Sequence, residues 1–133
     1  MSKVIVHLVD DNDIDIAVNS KLMKLAQIGD ETRVYGNGRK FIDAIGEHRQ
    51  ELSAVSNIVL LDIMMPGMTG FETMEEFNKM DASFIDHFDV FLISSTIDRN
   101  DIKRAEDTPR VHKILEKPLD VYFLKKLIEA LQD

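Results

Sequence analysis

The chain has 133 residues, 44% of them hydrophobic and 30% charged, with 24 Asp and Glu against 16 Lys and Arg and a formal charge of −8. That length suits one domain with a sizeable core, and the acidic balance argues against direct nucleic-acid binding, which needs a basic face for phosphates. The lack of cysteine excludes disulfides and thiolate metal sites, and no apolar run approaches the roughly 20 residues of a membrane span.

In chain order, the opening "MSKVIVHLVDD" has one lysine and a short apolar stretch before two acids. It is no secretory signal, and a cytoplasmic location is expected. "VIVHLV" (4–9) reads as the first strand, with His7 a core histidine satisfied inside the fold. Residues 13–28 read as a helix whose stripe is Ile14, Val18, Leu22 and Leu25. "TRVYG" (32–36) is a weaker strand, and 38–50 can hold a second helix. "HRQELSAVSN" (48–57) is long and reads as a surface insertion before the strand "IVLLDI" (58–63). A helix is expected over roughly 70–80. "NKMDASFIDHFD" (78–89) reads as a second insertion before the strand "VFLIS" (90–94). A helix over 98–107, the strand "VHKIL" (111–115) and a helix over 119–132 complete the chain. The last places Leu124, Leu127 or Ile128, and Leu131 on one face.

Mostly continuous apolar strands are covered on both faces. Their alternation with helices implies βαβ units and a parallel sheet, and right-handed crossovers leave few topologies. In a doubly wound α/β sheet the ligand site lies beyond the C-terminal strand ends. There the sequence places Asp10 and Asp11, then Asp62, then Ser94, Ser95 and Thr96, then Glu116, Lys117 and Pro118. Taken singly, Asp10 or Asp11 is a helix cap, and Lys117–Pro118 a surface dipeptide. Taken together they form a constellation. Three clustered acids repel and call for a cation. Oxygen donors without imidazole or thiolate select a hard ion, Mg²⁺, with Mn²⁺ the alternative. A lysine and a hydroxyl beside such an ion suit a transferred phosphoryl group, with a carboxylate as nucleophile. Asp62 is then the acceptor, and Pro66, Gly67 and Gly70 shape the loop around it. His48, His87 and His112 share no ligand spacing, and the seven methionines read as packing.

"LVDDN" (8–12), "LLDIMMPGMTG" (60–70), "LISST" (92–96) and "EKP" (116–118) resemble the receiver domain of bacterial two-component response regulators, in its single-domain, CheY-like form. The resemblance spans essentially the whole chain and implies one receiver domain over 1–133. It implies a five-stranded parallel sheet in the flavodoxin-like order 2-1-3-4-5, with five helices. It makes Asp62 the phosphoacceptor. Asp11 and Asp62 become the direct Mg²⁺ ligands, with Asp10 holding a bound water and the Met64 backbone carbonyl completing the set. Ser94 is the hydroxyl that moves to the phosphoryl oxygen, and Lys117 the ammonium that pairs with Asp62 and then with that group. A cis Lys117–Pro118 peptide is also implied. One departure is Ile114, which stands where the family often has Tyr or Phe three residues before the lysine.

The expected function is a phosphorylation-dependent switch. A histidine kinase donates to Asp62, and the protein promotes only its own phosphorylation and dephosphorylation. A downstream protein partner binds the face of the fourth helix, fifth strand and fifth helix. No output domain is visible after the last helix. The competing readings are a relay intermediate that passes phosphate to a histidine phosphotransfer protein, and a Mg²⁺-dependent phosphohydrolase. The latter usually carries an acid two residues after its nucleophile, where this chain has Met64.

Overall fold

Five strands pair side by side in the computed structural model, which describes residues 3–132. They are β1 (Val4–Val9), β2 (Glu31–Tyr35), β3 (Ser56–Asp62), β4 (Phe88–Ser94) and β5 (Val111–Glu116). All pairings are parallel, in the order β2-β1-β3-β4-β5. This is the expected sheet. The ends of the expected 1–133 domain, residues 1, 2 and 133, lie outside the described residues.

The sheet is apolar on both faces because helices cover both. On one face Val6, Leu8, Ile58, Leu60, Phe91 and Ile93 pack under α1 (Asp13–Leu25) and α7 (Val121–Gln132). On the other, Ile5, Val9, Val59, Leu61, Val90 and Leu92 meet α2 (Gly38–Glu47) and α4 (Gly70–Phe77). The helix α6 (Arg99–Asp107) contributes Ala105 to that side.

Seven helices are present among the described residues, against five expected. The extra two are α3 (Arg49–Leu52) and α5 (Ala82–Ile85), and they correct the reading of both stretches as surface insertions. Leu52, Phe84 and Ile85 are buried in the same core cluster as β3 and β4. The Phe84 ring meets Phe88 edge-on at 5.2 Å, and the Asn57 amide donates to the Leu52 carbonyl at 2.8 Å. Each stretch carries only one or two apolar residues per turn, which is too short a signal to separate from loop.

The face of α1 is the second correction. Asn19 and Met23 are buried, Ile16 is half-buried, and Ile14 and Leu25 are 74% and 72% exposed. The helix is rotated so that a polar Asn19 lies inward, which no hydrophobic periodicity reveals. On α7 the expected face holds, with Leu124 and Ile128 buried and Leu131 at its margin. His7 is the satisfied core histidine expected. Its ring nitrogens bond the Tyr35 hydroxyl at 2.9 Å and the Asn57 side-chain oxygen at 2.8 Å. Burial pulls its pKa down to about 4, so the ring is neutral.

Candidate functional site

The C-terminal ends of β1, β3, β4 and β5 meet along one rim. Asp10 follows β1, Asp62 ends β3, Ser94 ends β4 and Lys117 follows β5. The register sets Asp62 beside Ile93 and Ser94 beside Glu116. Strand pairing therefore fixes these side chains relative to one another more tightly than loops would.

Local turns aim them. Asp10 accepts the Asn12 N–H at 3.0 Å. Asn12 is the N-cap of α1 and accepts the Asp15 N–H at 3.0 Å. The capping role open to Asp10 and Asp11 is therefore filled by Asn12, which leaves both acids to the rim. After Asp62 the chain turns at Gly67, whose φ of +84° suits glycine. It enters α4 through a capping box between Thr69 and Glu72. Gly70 packs flat against the end of β3, its N–H donating to the Ile63 carbonyl at 2.9 Å. A Cβ there would stand 2.6 Å from the Asp62 carbonyl oxygen.

Carboxylate oxygens of Asp10, Asp11 and Asp62, one from each, lie within 4.8 Å of one another. Asp10 and Asp62 are buried and Asp11 is exposed. Burial and the adjacent Asp10 charge push the Asp62 carboxyl up from 3.8 to about 6, against the opposing pull of Lys117. Two buried acids under one ammonium remain short of positive charge. That deficit, with an all-oxygen donor set, fits a hard divalent cation.

Lys117 reaches into the cluster with 8% of its side chain exposed. Its Nζ stands 3.1 Å from Asp10, 3.4 Å from Asp62 and 2.8 Å from Asp15. Burial disfavours the ammonium, but hydrogen bonds to Asp15 and Asp10 outweigh it and hold the pKa above the usual lysine value. The Lys117–Pro118 peptide is cis. Ser94 is buried at the strand end, with its hydroxyl bound into its own loop. It donates to the Thr96 carbonyl at 2.9 Å and accepts the Thr96 N–H at 3.3 Å. The Met64 N–H donates to Asp62 at 3.3 Å, while the Met64 side chain is 69% exposed.

Sequence reasoning missed Asp15. An acid in the first turn of a helix reads as a partner for the helix dipole. Only the five-residue offset from Asp10, within the first turn after the cap, hinted that it would face the same rim.

The fold and this acidic rim define a receiver domain, and the wider comparison agrees. Residues 6–129 match the family model of the response regulator receiver domain, and the chain belongs to that family. The chain is similar to a two-component response regulator from Cytophaga hutchinsonii, with a TM-score of 0.88, 26% identity and 100% of both chains covered. It is similar also to a response regulator receiver protein from Dyadobacter fermentans, with a TM-score of 0.86, 27% identity and 96% of each chain covered. Part of the 3′,5′-cyclic-nucleotide phosphodiesterase regA of Dictyostelium discoideum is 30% identical over 131 residues. That match takes in 97% of this chain but only 15% of the relative. Receiver domains of this family serve phosphorylation-dependent signalling in two-component systems. No helix among the described residues is long and apolar enough to cross a membrane.

Proposed function

We propose that residues 1–133 act as one receiver domain that accepts a phosphoryl group from a histidine kinase onto Asp62 and thereby changes its affinity for a downstream protein. The observation that carries this is the convergence of Asp10, Asp11 and Asp62 within 4.8 Å, with Lys117 3.4 Å from Asp62. The Asp62 oxygen attacks phosphorus, the bond from phosphorus to the kinase imidazole breaks, and an acyl phosphate forms. With its pKa raised to about 6, Asp62 is still largely ionised at neutral pH and is more basic than an ordinary aspartate. Asp10, Asp11, Asp62 and the Met64 carbonyl would hold Mg²⁺, which when bound supplies positive charge to the phosphoryl oxygens.

Lys117 is positioned to follow the new charge, and Ser94 can exchange its bond to Thr96 for one to a phosphoryl oxygen. That exchange pulls on the loop leading to α6. The partner face is then α6, β5 and α7. An open groove there is lined by Ile102, Ala105, Val111 and Ile114. Ile114 is half-buried against the core, so it can follow the loop by packing, though it has no hydroxyl to bond with.

The test is treatment with acetyl phosphate, with and without Mg²⁺, followed by intact mass. One phosphoryl group should add to wild-type protein only with the metal, and none to Asp62→Asn. Undiminished labelling of Asp62→Asn would place the acceptor elsewhere.

A further inference from the structure

Lys117 has three carboxylate partners, and the shortest contact is to the one outside the acidic cluster. Asp15 is 2.8 Å from the ammonium, Asp10 is 3.1 Å and Asp62 is 3.4 Å. Asp15 is not among the acids whose oxygens converge. It comes from a different element, the first turn of α1, where its own N–H is fixed by the Asn12 cap. Its side chain is 38% exposed while that of Lys117 is 8% exposed, so it approaches the ammonium from the solvent side.

The consequence follows from charge. An ammonium that sits fully on Asp62 and Asp10 competes with any cation for the same oxygens. One drawn toward a third acid leaves those oxygens freer. We propose that Asp15 is a positioning residue that holds the Lys117 ammonium back from Asp62 and so keeps the acid cluster open to a divalent cation. The proposal rests on the metal reading given above. It adds that the cation's affinity is set in part by a residue that does not ligate it.

Removing Asp15 should let Lys117 close onto Asp62. Shortening that contact from 3.4 Å to ordinary ion-pair distance would strengthen the competing attraction enough to weaken Mg²⁺ binding about fivefold at near-surface dielectric.

The experiment is calorimetric titration of the full chain with MgCl₂. Four proteins are compared with wild type: Asp15→Ala, Asp15→Glu, Lys117→Ala and the double variant Asp15→Ala/Lys117→Ala. Circular dichroism checks each fold. Asp15→Ala should bind Mg²⁺ about fivefold more weakly than wild type. Asp15→Glu, which keeps a carboxylate able to reach the lysine, should recover most of the loss. In the Lys117→Ala background the Asp15 change should have little effect, because the residue it acts through is gone. Wild-type affinity in Asp15→Ala overturns the proposal. So does an equal loss with and without Lys117, which would mean that Asp15 acts on the cation directly. Wild-type protein that binds no Mg²⁺ overturns the metal reading itself and this proposal with it, whereas the other two failures leave the metal reading standing.

Discussion

Removing the charge of Asp62 should make the folded protein more stable at neutral pH. The Asp62 side chain is 5% exposed, and burial together with the neighbouring Asp10 charge raises its pKa from 3.8 to about 6. Between those values the folded state keeps a proton that the unfolded chain releases. The stability of wild type therefore falls as pH rises from about 4 to about 6 and is flat with respect to this group above that. At ~1.4 kcal/mol per pH unit the whole rise corresponds to at most about 3 kcal/mol. Lys117 stands 3.4 Å from the group and offsets part of this cost, and an asparagine gives up that ionic contact. The expected gain for Asp62→Asn at pH 7.5 is therefore about 1–2 kcal/mol. The Met64 N–H keeps its acceptor, because the asparagine retains one side-chain oxygen. The assay is urea unfolding at pH 4.5, 5.5 and 7.5, where this gain moves the midpoint by roughly 0.5–1 M. The advantage of Asp62→Asn should shrink toward zero at the lowest pH. Millimolar Mg²⁺ should stabilise wild type more than the variant, since a ligand that binds the folded state alone adds to its stability. A variant no more stable than wild type at pH 7.5, or a gain of equal size at all three values, would refute the reasoning.

Two further outcomes are expected. Gly70→Ala recovers at most about 1 kcal/mol of helix propensity, but its Cβ meets Asp62 and Ile63 backbone at 2.6 and 2.9 Å. It should lose about 1–2 kcal/mol net and label more slowly with acetyl phosphate, and an unchanged melting temperature with wild-type labelling would contradict the packing argument. Met64 lies two residues after Asp62 and Thr96 two after Ser94, and neither carries a long polar group that could orient water. Met64→Asn with Thr96→Glu should therefore shorten the phosphoryl lifetime about tenfold, for a barrier lowered by roughly 1.4 kcal/mol. Loss of labelled phosphate at fixed Mg²⁺ and pH measures it, and an equal or longer lifetime would remove these positions from control of hydrolysis.

The parallel sheet was legible in the sequence because both its faces are buried. A strand covered on both sides needs an unbroken run of Val, Ile, Leu and Phe, so β1, β3 and β4 announce themselves. The acids and the lysine at the strand ends were legible for a related reason, since each follows directly on such a run. Three things were not. The inward face of α1 contains Asn19, and burial of one polar side chain defeats an argument from hydrophobic period. The short helices α3 and α5 each offer a single turn, and whether Leu52, Phe84 and Ile85 turn inward depends on the open end of the core they close. Asp15 needed the rotation of α1 about its axis, which the Asn12 cap and the packing of Met23 decide together. Sequence by itself determined which residues are apolar, in what order, and which acids follow the strands. Only the tertiary structure decided which of three acids holds the lysine most closely, because that depends on differences of a few tenths of an ångström between side chains carried by three strands and a helix.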